Sequence, residues 1–207
     1  MDISPKFWDK VAVKYSKRPI SDEAAYRRKL EKSQSYFHPD TELLEFGCGT
    51  GGTAITHAAY VKHIRAIDIS PKMIEIAKNR AAAADVGNVA FEVQTIEGLD
   101  APDESFDAVL GLSIMHLVQD KEAVLDKVFR LLKPDGVFIS STVCMSDMAS
   151  LIRYVIPLMQ FFGRAPFVAF FTREELQQSI KSAGFKIDYD WRPGKSSAVF
   201  VVAKKPA

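Results

Sequence analysis

A chain of 207 residues with a hydrophobic share of 47% holds enough apolar material for one packed domain with an appendage, and excludes a disordered tract. Its 27 basic and 26 acidic residues leave a formal net charge of +1, so no long-range field draws it to nucleic acid or to an anionic membrane. Two cysteines, Cys48 and Cys144, are too few for a disulfide framework; with an N-terminus that lacks an apolar signal core, they read as a cytoplasmic protein.

The first 38 residues are helical in pattern and aromatic, with Phe7, Val11 and Tyr15 four apart on one face and Pro5 and Pro19 breaking the run. They precede the first strand and stand either as a packing element on a sheet edge or as a lid over a ligand. The basic cluster Arg27-Arg28-Lys29 within them reads as a solvated helix face. Thr41–Phe46 is the expected first strand. It empties into Gly47-Cys48-Gly49-Thr50-Gly51-Gly52, and a helix is expected over Thr53–Val61. A strand, a glycine turn and a helix in succession bring bare backbone against a small molecule.

Ile64–Ile69 follows as the second strand. Ser70 as N-cap and Pro71 at the first helical position open a helix whose apolar stripe is Met73, Ala77, Ala81 and Ala84. Val89–Ile96 is expected as the third strand, Gly98–Ser105 as an acidic loop, and Phe106–Leu112 as a fourth strand apolar enough to be covered on both faces. A helix over Lys121–Leu132 stops at Pro134-Asp135-Gly136, and Val137–Val143 is the fifth strand. Strands alternating with helices predict an α/β domain over residues 39–207, doubly wound around a mostly parallel sheet. The rhythm breaks at an apolar insertion, residues 145–171, whose Arg153, Pro157, Gly163, Arg164 and Pro166 argue against a membrane span. A capping box at Thr172–Glu175 opens another helix, and Phe185–Asp190 and Ala198–Lys204 form a closely spaced antiparallel pair at the sheet edge, for seven strands in all.

Gly47, Gly49 and Gly52 satisfy G-x-G-x-x-G, and Asp68 lies about 20 residues on, where a ribose-binding carboxylate belongs. That pattern fits two cofactor classes. Glu45 weighs between them, because a carboxylate two residues before the first glycine repels a pyrophosphate in a partly desolvated pocket. S-adenosylmethionine has no phosphate and carries a sulfonium and an ammonium, which the same residue welcomes.

At four separated places the chain resembles class I S-adenosylmethionine-dependent methyltransferases: Leu44–Gly51, Ala66–Met73, Ser105–Val109 with Met115-His116-Leu117, and Leu131–Gly136. The resemblance covers about residues 41–143 and implies a Rossmann-like fold with an antiparallel edge strand. It also implies that backbone at Gly47, Cys48, Gly49 and Gly51 cradles the methionine part, with Glu45 near its ammonium. Asp68 would take the ribose hydroxyls, an acceptor-only carboxylate facing two donors. Ile69 and Met73 would flank the adenine, and Leu112, Ser113 and His116 would line the site past the fourth strand. The family usually has an acidic residue after the third strand; this chain has Gln94-Thr95-Ile96-Glu97, so Thr95 hydroxyl or backbone at Ile96 is left to meet the adenine edge.

The bland readings stand beside these. Cys48 is a small turn residue rather than a reactive thiol, and His116 is either a structural histidine or a site-lining one. The four histidines show no metal-ligand spacing, so no metal is expected. Methyl transfer from a sulfonium needs alignment and exclusion of water, and a general base only for a hydroxyl or protonated amine. The candidate bases are His116, Tyr15 and Tyr26. The acceptor pocket is expected from residues 1–38 and the insertion, through Trp8, Tyr15, Tyr154, Met159, Phe161, Phe162 and Phe167, for a small, rather apolar acceptor. The alternative for the insertion is sheet packing or a dimer contact, and a monomer or homodimer is expected, with peripheral membrane contact left open. A nicotinamide-dependent oxidoreductase and a non-catalytic S-adenosylmethionine-binding protein are the rival functions.

Overall fold

The computed structural model describes residues 4–147, 152–161, 165–194 and 198–207. Two helices, α1 (Ser4–Ser16) and α2 (Glu23–Gln34), precede the first strand, β1 (Glu42–Phe46). Then come α3 (Gly52–His57), β2 (His63–Asp68), α4 (Pro71–Ala83), β3 (Val89–Val93), β4 (Phe106–Leu112), α5 (Lys121–Leu131) and β5 (Leu132–Thr142). The chain closes with α6 (Ile152–Phe161), α7 (Arg173–Ser182), β6 (Lys186–Trp191) and β7 (Val199–Lys204). Side-chain caps start the helices: Asp22 accepts from Ala25 N at 2.9 Å, Ser70 from Met73 N at 3.1 Å, and Asp120 from Ala123 N at 2.9 Å. Thr172 and Glu175 form the reciprocal capping box at α7.

The seven strands form one sheet in the order β3-β2-β1-β4-β5-β7-β6. All pairings are parallel except those of β7, which runs antiparallel to both β5 and β6 and leaves β6 at the edge. Strand order reverses direction between β1 and β4, the switch point beside which open α/β sheets form their crevices. Successive residues feed two cores. Leu44, Phe46, Val109 and Phe138 pack with Val124 and Val128 of α5 and Leu176 and Ile180 of α7. Leu43, Leu110 and Ile139 pack on the other face with Ala54 of α3 and Ile74 and Ala77 of α4.

Several details differ from the sequence expectation, among them two strand ends and one helix face with local reasons; the helix expected over Thr53–Val61 is shorter, Gly52–His57. β3 stops at Val93 instead of Ile96, because Gln94 Oε1 accepts from Thr95 N and Thr95 Oγ1 accepts from Gly98 N, closing a turn in place of a ladder. β5 starts at Leu132, since Leu132 pairs with Phe106 and the next partnership is Val137 with Ala108; Lys133–Gly136 bulge out between them. On α1 the buried residue is Ala12, so the inward face runs Trp8–Ala12–Tyr15, one position away from the Phe7–Val11–Tyr15 line.

In the basic cluster on α2, Arg27 and Arg28 stay exposed as expected, while Lys29 is partly buried. Arg28 stacks 4.4 Å over the Trp191 ring, and Lys29 Nζ donates to Ser141 Oγ of β5 at 2.8 Å. Both fasten α2 across the β5-β7-β6 side of the sheet. Burial lowers the Lys29 pKa. Among the described residues no helix is long and apolar enough to cross a membrane.

Gly111 marks how closely the central strands meet the crevice. A Cβ there would stand 2.5 Å from Phe46 Cζ. Gly111→Ala should therefore cost about 1–3 kcal/mol, the range for overpacking a filled core, and lower the urea midpoint. An unchanged midpoint would contradict the tight β1–β4 contact.

Candidate active site

At the C-terminal ends of β1, β2 and β4 lies a cavity of about 420 Å³. The glycine turn forms its floor. Gly47, Gly49 and Gly51 have φ of +65°, +53° and +75°, the left-handed region that favours glycine. A Cβ at Gly47 would meet Ile114 Cγ1 at 2.7 Å, and one at Gly51 would meet Ala77 and Phe91 at 2.9 Å, whereas at Gly49 the nearest atom is Tyr15 Cε1 at 3.7 Å. The turn is thus packed from beneath at two glycines and open toward the lid at the third.

Asp68, the last residue of β2, ties the turn together. Its Oδ2 accepts from Gly49 N and its Oδ1 from Ser70 N, both at 2.9 Å. Burial raises its pKa, against the pull of those backbone bonds. Ile69 and Met73 continue the wall, and Gln94–Glu97, released from β3, supply the next side. Thr95 Oγ1 accepts from Gly98 N at 3.0 Å and keeps its own proton to donate. Beyond β4 the wall runs through Leu112 and Ser113, the latter at φ +58°, then Ile114 and Leu117–Asp120. Trp8 and Tyr15 of α1 form the roof with Pro166 and Phe167. The first segment thus contributes two aromatic side chains to the cavity lining.

Of the expected site residues, Gly47, Gly49, Asp68, Ile69, Met73, Thr95, Ile96, Leu112, Ser113 and Tyr15 meet on this wall. Glu45, Cys48, Gly51, His116 and Tyr26 stand outside it. Cys48 is buried, and its thiol pKa is pushed well up by burial, with Glu45 and Asp68 adding to it, which leaves it inert. His116 turns to β5: its Nδ1 lies 2.9 Å from Thr142 Oγ1, and burial lowers its pKa to about 4. That is the structural-histidine geometry. Tyr15 has its pKa raised by burial and then by Asp68, so its phenol stays a donor. Trp8 and Phe167 of the expected acceptor residues line the cavity, Met159 does not and is 40% exposed, and Phe162 and the side chains of Tyr154 and Phe161 lie outside the described residues. The wall residues that sequence reading passed over include Ile114, Leu117 and Val118, spaced three and four apart, and Asp120, whose place before Lys121 is an N-cap signal.

Two electrostatic features define what this cavity accepts. Among the described residues its lining holds three acids, Asp68, Glu97 and Asp120, and no lysine, arginine or histidine. Beneath it Glu45 is 3% exposed, and its Oε2 has no hydrogen-bond partner. Burial, reinforced by Asp68, pushes the Glu45 carboxyl up to about 8. An acid so placed is held mainly protonated at neutral pH and would ionise beside a cation. Among the described residues no cluster of His, Cys, Asp and Glu suits a metal ion.

A sheet with this switch point, a left-handed glycine turn and an acid closing β2 define a Rossmann-like domain of the class I methyltransferase type. The methyltransferase-domain family matches residues 37–184, and the chain belongs to that family. It is 35% identical over 97 residues to the uncharacterised methyltransferase YcgJ of Bacillus subtilis, a match covering 47% of this chain and 38% of YcgJ, so that less than half of that relative is spanned. The YcgJ crystal structure superposes with a TM-score of 0.73 at 19% identity, over 87% of this chain and 99% of that one. Demethylmenaquinone methyltransferase of Symbiobacterium thermophilum is 25% identical over 97% of this chain and 92% of its own. Geranyl diphosphate C-methyltransferase of Streptomyces coelicolor, solved with S-adenosyl-L-homocysteine, shares the fold at TM-score 0.72 and 16% identity, over 88% and 78% of the two chains.

The sign of the Glu45 effect on stability follows from its pKa. The folded value, about 8, lies above the ordinary carboxylate value of 4.5, so the folded chain binds more protons between those limits and its stability falls as pH rises. Glu45→Gln removes the penalty. Its ligand-free melting temperature should exceed wild type by roughly 10 °C or more at pH 8 and match it near pH 4, since each kcal/mol moves a domain of this size by about 2–4 °C. Equal melting temperatures at pH 8 would contradict the buried, unpaired carboxylate.

Proposed function

We propose that this chain is an S-adenosylmethionine-dependent methyltransferase acting on a small, rather apolar acceptor. The observation that carries the reading is the Glu45 oxygen that, among the described residues, has no partner, below a cavity whose described charged groups are all acidic. Diphosphate is repelled there; an ammonium and a sulfonium are attracted. S-adenosylmethionine, when bound, supplies an electrophilic methyl group on a sulfur that leaves uncharged. The turn backbone at Gly47 and Gly49 holds the methionine end with Glu45 against its ammonium, Asp68 accepts from the ribose, and Ile69, Met73, Thr95 and Ile96 hold the adenine.

The chain's own contribution is then positioning and exclusion of water. Trp8, Leu117, Val118 and Phe167 offer apolar surface to an acceptor at the roof. Among the described residues the bases on the wall are carboxylates, because Tyr15 holds its proton and His116 is engaged with Thr142. This favours acceptors that ionise readily or need no deprotonation, such as an acidic phenol or an activated carbon.

Calorimetry with S-adenosylhomocysteine and with NADH separates this reading from a reductase. The homocysteine compound should bind and NADH should not; the reverse result would refute the assignment. Turnover of S-adenosylmethionine with a panel of small apolar acceptors separates it from a non-catalytic binder, which would bind without methylating. Asp68→Ala should weaken S-adenosylhomocysteine binding by ~1.5–3 kcal/mol, the scale of charge-assisted hydrogen bonds to the ribose. Unaltered affinity would remove Asp68 from the site.

A further inference from the structure

α1 does not simply rest on the cavity. Asp9, beside Trp8 on that helix, reaches the start of α4: its Oδ1 accepts from Ser70 Oγ at 2.5 Å and from Lys72 N at 3.0 Å. Ser70 is shared property. Its hydroxyl oxygen caps α4 by accepting from Met73 N, while its own N–H donates to Asp68 Oδ1 at 2.9 Å. Asp68 in turn holds Gly49 N through Oδ2. A continuous hydrogen-bonded path therefore runs from the roof helix, through Asp9, Ser70 and Asp68, to the glycine turn.

The path brings two carboxylates to one place. Asp9 and Asp68 both bond to Ser70, and Asp9 adds to the forces that raise the Asp68 pKa. The 13-residue helix α4 begins here, and its free N–H groups and positive dipole end offset that repulsion. The same contact fixes how α1 lies along α4, and with it where Trp8 and Tyr15 stand over the cavity. Trp8 and Tyr15 meet edge to face at 6.4 Å.

We infer that Asp9 is a positioning residue for cofactor binding, a latch that holds the α1 roof closed and couples its closure to Asp68 and the glycine turn through Ser70. The latch rests on the methyltransferase reading for the identity of its ligand. A bound cofactor that orders Asp68 then also orders α1, and release requires the Asp9 contact to break.

The test uses the full chain, with S-adenosylhomocysteine as probe. Asp9→Ala should weaken its binding about tenfold, chiefly by faster dissociation, with the melting temperature of the ligand-free chain little changed. Asp9→Asn keeps an acceptor for Lys72 N and Ser70 Oγ and should bind within about threefold of wild type. In wild type, saturating ligand should slow amide exchange across α1 and at Lys72 together; in Asp9→Ala it should slow exchange at the glycine turn alone. Equal binding by wild type and Asp9→Ala, an Asn variant as impaired as the Ala variant, or α1 exchange that ignores ligand in wild type would each overturn the latch. Wild type that binds no S-adenosylhomocysteine would instead refute the methyltransferase reading itself.

Discussion

A carboxylate held out of water with no cation beside it is the constraint on which the rest of this site depends. Glu45 occupies a β1 position whose neighbours Leu43, Leu44 and Phe46 are core residues. Asp68, a charge that acts on it, has the same sign. A chain selected for stability alone would place an apolar residue there, as the neighbouring positions do. Keeping an acid at the end of β1 is a stability cost that the proposed cationic ligand would recover.

Around that acid, backbone does most of the holding. The left-handed turn at Gly47–Gly51 lets α3 start directly above the strand, and Cys48 N ties it to Ile67 O of β2 at 3.0 Å. Asp68 spans the gap from the turn to α4, and Asp9 carries the same connection out to the roof. Floor, wall and roof thus share hydrogen bonds and do not merely adjoin. The far side of the domain has no part in this: α5, α7 and the Arg173–Asp190 and Arg192–Asp147 ion pairs secure the sheet beyond β5.

Much of the fold was legible because the signals are local and redundant. The β4 run is apolar throughout, Ser70-Pro71 is a two-residue helix start, and Thr172 with Glu175 states its cap in four residues. What escaped depended on side chains choosing partners far along the chain. Gln94 and Thr95 look like strand continuation until they bond to their own loop, and that ends β3 at Val93. His116 reads in sequence as either structural or site-lining, and its contact with Thr142, 26 residues on, is not written in the residues around it. Asp9 carried no signal at all, being one acid on an aromatic helix whose partner is 61 residues distant. Glu45 was legible in sequence as a charge in an apolar run, and its depth and missing partner became visible only once the two helical layers covered the sheet.

The central claim is that Glu45 awaits a cation, and its own titration tests that most directly. Carbon-13 NMR of the Glu45 carboxyl, compared with Glu45→Gln for assignment, reads it with and without S-adenosylhomocysteine. The account predicts a midpoint at about 8 in the free chain, falling below neutrality when the ligand's ammonium is present. A midpoint in the ordinary carboxylate range that ignores ligand would contradict it.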